Sequence, residues 1–181
     1  MSPHTFHTIN RDDRKTHSVT RSRAYASTVL WHEMTVVASS VADVVTSAGG
    51  WLYDRRMAGW QVNVLVSDRA GKRALQILGA DALDLSGNLE AVSDDPDRAA
   101  TLVVAADVYA ADARVRRFVT TSDRSCAEVV LWGDTGRFGQ NVSPVSYRLS
   151  AGARAFKAQA LLAAGIPSGR VPATEALSVA G

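Results

Sequence analysis

A chain of 181 residues, 46% hydrophobic and 21% charged, has the size and composition of one globular domain. A formal net charge of +2 argues against a strongly basic nucleic-acid-binding body, and a single cysteine excludes an internal disulfide and a cysteine-based zinc cluster. Cysteine usage and the lack of any apolar run of transmembrane length predict a cytoplasmic protein with no membrane partner.

The N-terminal segment differs in composition from the rest of the chain. Residues 1–23 carry five basic and two acidic side chains, a net charge of +3, so the remaining residues sum to −1. Because this segment has few apolar residues, it is predicted to be a disordered basic tail. It precedes a single α/β domain over residues 24–166 and an irregular C-terminal tail over residues 167–181. Contact with nucleic acid is expected, if at all, only through the basic tail.

A long amphipathic helix is predicted after the tail, from about Ser27 to Ala48. Apolar residues recur there at spacings of three and four, which places them along one helix face. This seam consists of Leu30, Met34, Val37, Val41, Val44, Ala48 and Trp51. Two interpretations stay open, namely packing against a sheet of the same chain and pairing with a second copy in a homodimer. The width of the apolar stripe favours packing.

Three apolar runs that follow are predicted to be strands, near residues 60–68, 101–108 and 127–133. They are rich in β-branched residues, and the last two are almost continuously apolar, as is typical of strands buried on both faces of a parallel sheet. Helical patterns separate them, which indicates βαβ units. The predicted fold class is therefore α/β, with a short, mainly parallel sheet flanked by helices and preceded by the long helix. A last helix is predicted after Ser150, a suitable N-cap.

An aspartate lies at or just beyond the end of each predicted strand: Asp68, Asp107 and Asp134. Because the carboxyl ends of parallel strands meet at one edge of a sheet, these three carboxylates could converge and hold a magnesium ion. The alternative is that each aspartate caps the helix or turn that follows it. Magnesium is expected as a cofactor only if the chain is an enzyme.

Basic and glycine-containing turns accompany two of these aspartates. Free backbone N–H groups at a helix start and in a glycine-rich loop favour a bound anion. Neither turn has the spacing of a phosphate-binding loop or of a dinucleotide-binding motif. The predicted ligand-binding residues are Asp68, Arg69, Lys72, Arg73, Gly136 and Arg137.

The function predicted first from these patterns is a non-catalytic binding or regulatory module. It would recognise a small anionic ligand or a protein partner at the carboxyl edge of the sheet. The chain has no nucleophile motif, and no catalytic residue is assigned. Two alternatives stay open. One is a magnesium-dependent phosphoryl hydrolase or nuclease with the three aspartates as metal ligands, and the other is a dimeric structural protein joined through the long helix.

Overall fold

The computed structural model describes residues 32–89, 99–122, 128–139 and 141–181, so the predicted basic tail lies outside the described residues. The strands are β1 (His32–Ser40), β2 (Gln61–Asp68), β3 (Asp81–Asp84), β4 (Ala99–Ala105), β5 (Glu128–Trp132), β6 (Val142–Arg148) and β7 (Thr174–Ala180). The helices are α1 (Val41–Met57), α2 (Arg73–Ile77), α3 (Leu85–Asn88), α4 (Ala106–Ala111), α5 (Ala113–Ser122) and α6 (Ala151–Ala163), with a 3-10 turn at Thr135–Arg137. Within these ranges, no helix combines the length and the apolar character that crossing a membrane requires.

The strands of the described residues form one seven-stranded sheet in the order β3-β2-β1-β4-β5-β7-β6. Strands β1 to β5 are parallel, and β7 runs antiparallel to both of its neighbours, β5 and β6. The predicted α/β class and the mainly parallel sheet are confirmed. The strand order reverses between β1 and β4, because the chain proceeds from β1 to β2 and β3 on one side and from β4 to β5 on the other. In open α/β sheets a crevice forms at the carboxyl ends of two such strands.

The long predicted helix is present, but it begins later than the spacing of apolar residues indicates. Residues His32–Ser40 form β1, a central strand, and α1 starts at Val41. Every residue from 33 to 38 is buried, so any spacing within this run looks apolar, including the helical one. The side chain of Ser40 accepts a hydrogen bond from the Asp43 N–H (3.2 Å) and caps the helix.

The apolar seam of α1 is buried within the chain itself. Val41, Val44 and Ala48 are fully buried and Trp51 is 3% exposed, in the same hydrophobic cluster as the central strands. Met34 and Val37 of the predicted seam are also fully buried, but they lie on β1, and Leu30 lies outside the described residues. The packing interpretation is therefore confirmed for the described part of the seam. This face of α1 is not available to a second copy of the chain.

The three predicted strands correspond to β2, β4 and β5, whereas β7 corrects the prediction for the C-terminal segment. Residues 167–181 were expected to be irregular, but Thr174–Ala180 is a strand inserted between β5 and β6. The reason lies in the buried side chains of this strand. Leu177 and Glu175 are 5% and 4% exposed, and a buried carboxylate conceals the alternation of apolar and polar residues that marks a strand.

Candidate functional site

A cleft of about 640 Å³ opens at the carboxyl edge of the sheet, where β1 and β4 end. It lies where the strand order reverses, which is the usual position of ligand sites in sheets of this kind. Its walls come from the first turns of α1, from α4, and from the end of β5 with the turn that follows it. The lining residues are Asp43, Ser47, Ala106, Asp107, Ala110, Ala111, Trp132, Gly133, Asp134 and Arg137.

The carboxylate of Asp43 is held in this cleft by two hydrogen-bond donors. The indole Nε1 of Trp132 donates to Oδ2 (3.1 Å), and the hydroxyl of Ser47 donates to Oδ1 (3.1 Å). Burial raises the pKa of Asp43 above its ordinary value, the two hydrogen bonds oppose that rise, and the negative charge of Asp107 adds to it. A half-buried carboxyl group with a raised pKa is a candidate for proton transfer.

Two further carboxylates in the cleft each leave one oxygen open to a ligand. Oδ1 of Asp107 accepts the N–H of Val108 (2.8 Å), and Oδ1 of Asp134 accepts the N–H of Gly136 (3.1 Å). Their Oδ2 atoms accept no hydrogen bond from the described residues. Arg137 is the cationic side chain among the lining residues, so the cleft combines three acids with one base.

The six ligand-binding residues predicted from the sequence fall into two groups. Asp68, Arg69, Lys72 and Arg73 are exposed between the end of β2 and the first residue of α2, whereas Gly136 and Arg137 follow β5. Strands β1 and β4 lie between the two groups, which puts β2 and β5 roughly 14 Å apart at the usual interstrand spacing. Of the six, only Arg137 lines the cleft.

The three strand-end aspartates do not form the predicted magnesium site. Strand β1 separates Asp68 from Asp107, and the side chain of Asp68 is engaged locally, with Oδ1 accepting the N–H of Ala70 (2.8 Å). Across the described ranges, no group of three or more His, Cys, Asp or Glu residues is arranged to hold a metal ion. The prediction of a metal site at Asp68, Asp107 and Asp134 is wrong, and each carboxylate accepts a nearby backbone N–H instead.

The sequence patterns do not identify Asp43, Ser47 or Trp132 as site residues. The helical spacing extends across β1 and conceals the strand end at which Asp43 lies. A signal is nevertheless present, because Ser40 comes shortly after the β-branched run of residues 35–37 and is followed three residues later by the acid Asp43. That pattern is typical of a helix start and would have divided the predicted helix into a strand and a shorter helix.

Comparisons with known proteins identify the fold but no family. No protein-family model matches the chain, and no curated protein matches it. A solved deacetylase in complex with teicoplanin, from the biosynthesis pathway of teicoplanin, has a TM-score of 0.56 at 12% identity, over 82% of this chain and 97% of that chain. A triple mutant of a deacetylase involved in the teicoplanin biosynthetic pathway has a TM-score of 0.52 at 15% identity, over 74% and 81%. Both neighbours are deacetylases.

This likeness in fold corrects the function predicted from the sequence. The prediction of a non-catalytic binding or regulatory module is wrong, because the solved structures that share the fold are catalysts. The patterns pointed away from catalysis because they contain no nucleophile motif. They also divide the predicted site between the end of β2 and the turn after β5, whereas the cleft lies between β1 and β4 and does not include the β2 residues.

Replacing Trp132 with phenylalanine tests the electrostatics of the cleft. Trp132→Phe keeps an aromatic ring at the end of β5 but removes the N–H that donates to Asp43. Because that hydrogen bond lowers the pKa of Asp43, we expect its pKa to rise further in the variant. Carbon-13 NMR titration of the carboxyl group measures the shift. Trp60→Phe, outside the cleft, should leave the titration unchanged, and an unchanged Asp43 in Trp132→Phe would contradict the assigned hydrogen bond.

Proposed function

We propose that the chain is a deacylase that hydrolyses an amide in the cleft between β1 and β4, with an acetyl group as the simplest acyl group. The observation that supports this most directly is the Asp43 carboxyl group, half-buried and with a raised pKa, at the reversal point of the sheet. The fold supports it as well, because the neighbours with the same architecture are deacetylases.

The proposed reaction converts an N-acetyl amine and water into an ammonium ion and acetate. The oxygen of water forms a bond to the carbonyl carbon, the carbon–nitrogen bond breaks, and a proton passes to the leaving nitrogen. A carboxylate can accept the proton of the attacking water and then donate it to the amine. Asp43 is the candidate for this role, since a raised pKa brings proton uptake and release closer to neutral pH.

The remaining charges of the cleft suit the groups that this reaction produces. Arg137 is the cationic group that can hold the carbonyl oxygen as negative charge develops on it, and later the acetate. The small anionic ligand expected from the sequence would then be the acetate product. Asp107 and Asp134 offer open carboxylate oxygens to a cation. We therefore propose a substrate whose amine portion carries a second, positively charged amine.

Three acetamides of similar length and different charge test the function and the charge preference together. They are N-acetylputrescine, which is cationic, N-butylacetamide, which is neutral, and 4-acetamidobutyrate, which is anionic. Release of acetate is measured for each at neutral pH. We expect hydrolysis to be fastest for the cation and slowest for the anion. Absence of acetate release from all three would contradict the proposed activity for short acetamides.

Two aspartates with the same local geometry provide a matched comparison for the charge preference. Asp134 and Asp68 each accept the N–H two residues later, but only Asp134 lines the cleft. Asp134→Asn should lower kcat/KM for the cation by about tenfold, the loss expected for roughly 1.4 kcal/mol of attraction, and leave the neutral acetamide unaffected. Asp68→Asn should change neither value. If the two variants change kcat/KM for the cation equally, the carboxylates of the cleft are not the cause of the preference for a cationic substrate.

The compartment and the macromolecular partners remain proposals. We propose a cytoplasmic location, which the single cysteine supports because disulfide-bonded frameworks mark oxidising compartments. A protein partner and a second copy of the chain remain predictions from the sequence. A homodimer would have to use a surface other than the buried seam of α1.

A further inference from the structure

A buried ion pair lies beside the middle of α1, outside the cleft. Lys157 on α6 and Glu175 on β7 are each 4% exposed, and Lys157 Nζ lies 2.6 Å from Glu175 Oε1. The proposed hydrolysis does not use either side chain. Buried charges are rare in proteins unless they are paired, and both of these make further hydrogen bonds to the backbone of α1.

Those hydrogen bonds are made to the backbone of α1 within residues 46–51. Glu175 Oε1 accepts the N–H of Gly50 (2.9 Å), and Oε2 accepts the N–H of Trp51 (2.8 Å). Lys157 Nζ donates to the carbonyl oxygen of Thr46 (2.6 Å). In a regular α-helix the Gly50 N–H bonds to the Thr46 carbonyl, four residues earlier. The ion pair therefore contacts a backbone donor and a backbone acceptor that lie one helical turn apart, and it ties this turn of α1 to α6 and β7.

Glycine at position 50 permits this close approach. A Cβ atom there would lie 2.6 Å from Leu149 Cδ1 and 3.2 Å from Glu175 Oε1, so the leucine side chain and the carboxylate would both have to move away from the helix. The carboxylate can approach the helix backbone because position 50 has no side chain. Gly50 thus has a local role in α1, which is to leave room for the carboxylate of Glu175.

The ion pair contacts α1 at a residue that is adjacent in sequence to the wall of the cleft. Thr46, which Lys157 contacts, directly precedes Ser47, whose hydroxyl donates to Asp43. Asp43 in turn accepts from Trp132 at the end of β5. Ser47 lies on the same helix as Asp43, so the orientation of the first two turns of α1 determines whether Asp43 meets its other donor, Trp132.

We propose that Lys157 and Glu175 are positioning residues for the cleft. By holding the Thr46 carbonyl and the Gly50 and Trp51 N–H groups, they fix the orientation of α1 in which the Asp43 carboxylate meets Trp132. The catalytic consequence rests on the proposed function. The effect on Asp43 itself does not, and it can be measured in the absence of any substrate.

The variant that tests this proposal is Lys157→Met/Glu175→Leu. Replacing both charges by apolar side chains of similar size keeps the interior packed, and the Gly50 N–H can then bond to the Thr46 carbonyl in a regular helix. We expect the variant to fold, with the NMR titration of Asp43 and the indole N–H resonance of Trp132 both displaced from those of the parent. Leu75→Ala, a truncation in α2 at a fully buried side chain, is the control for lost packing and should displace neither signal. Unchanged signals in the double variant would overturn the proposal.

A second pair of measurements covers the case in which the double variant does not fold. Lys157→Met and Glu175→Gln each disturb the pair from one side, and either one, examined below its melting temperature, should displace the same two signals. Acetamide hydrolysis then separates the two proposals. Displaced signals without activity in the parent would refute the deacylase and leave the positioning role standing. Activity with an unchanged pH profile and unchanged signals in these variants would refute the positioning role alone.

Discussion

Asp43→Asn should remove most of the hydrolytic activity and, at neutral pH, raise the melting temperature of the chain. A group that accepts and returns a proton in the transition state contributes about 10²- to 10⁴-fold to the rate, and an amide cannot replace it. The fold should tolerate the change. The new side-chain oxygen can accept from Trp132, and the amide N–H can donate to Ser47, whose hydroxyl both donates and accepts.

The gain in stability follows from the direction of the pKa shift. Burial raises the pKa of Asp43, so the folded chain binds the proton more tightly than the unfolded chain does. The resulting stabilisation is fully present below the unfolded pKa and is lost as the pH rises through the folded pKa. At neutral pH the parent therefore keeps a charge in a half-buried site, and the asparagine variant does not. When the melting temperatures of the parent and of Asp43→Asn are measured between pH 3 and pH 8, the difference between them should be largest at the upper end of that range.

Asp112→Asn is the control, because the pKa of Asp112 is shifted in the opposite direction from that of Asp43. Hydrogen bonds from Arg114 lower the pKa of Asp112, which lies outside the cleft. Its stabilising contribution is present above the unfolded pKa and is lost as the pH falls through the folded pKa. Asp112→Asn should therefore leave hydrolysis unchanged and should not raise the melting temperature at neutral pH. Retained activity in Asp43→Asn would contradict the assigned role of Asp43.

The sheet could be predicted at β2, β4 and β5. Strand β7 was missed because a buried carboxylate interrupts its pattern, and β1 was missed because its continuous burial also fits a helical spacing. Strands β2, β4 and β5 are visible because their apolar residues are adjacent in the sequence. The strand β7 contains Glu175, whose charge is satisfied by Lys157 and by the backbone of α1. Partners that distant in sequence cannot be inferred from local composition.

The candidate site could be predicted only as an edge of the sheet. The sequence places Asp134 and Arg137 after a strand, and both line the cleft. Which strands are adjacent depends on the long-range pairing of β1 with β4, and that pairing excludes Asp68 from the site. Asp43 depends on the same information, because its pKa is raised by burial in the folded chain, and a hydrogen bond from Trp132, 89 residues away, opposes that rise. Asp43 could therefore not be identified as a site residue, because β1 was predicted to be part of a helix.

Lys157→Met should lower the free energy of unfolding by roughly 3–5 kcal/mol, the usual cost of removing one partner of a buried ion pair. The substitution leaves Glu175 buried beside two backbone N–H groups but without its counter-charge, and leaves the Thr46 carbonyl without its donor. Glu175→Gln should cost a similar amount, because it leaves the ammonium group of Lys157 buried without a carboxylate. Losses of this size are a large part of the stability of a typical domain.

The double variant Lys157→Met/Glu175→Leu distinguishes the contribution of the two charges to the free energy of unfolding from the contribution of packing. Apolar replacements remove both desolvated charges and allow α1 to complete its own hydrogen bonds, so the free energy of unfolding should return to within about 1–2 kcal/mol of the parent. The two single losses are then strongly non-additive, as expected for groups in direct contact. Urea unfolding measures all four chains, provided that the dependence on denaturant stays constant between them. If the double variant instead loses the sum of the two single effects, the pair acts through packing alone, and its charges do not hold the first turns of α1.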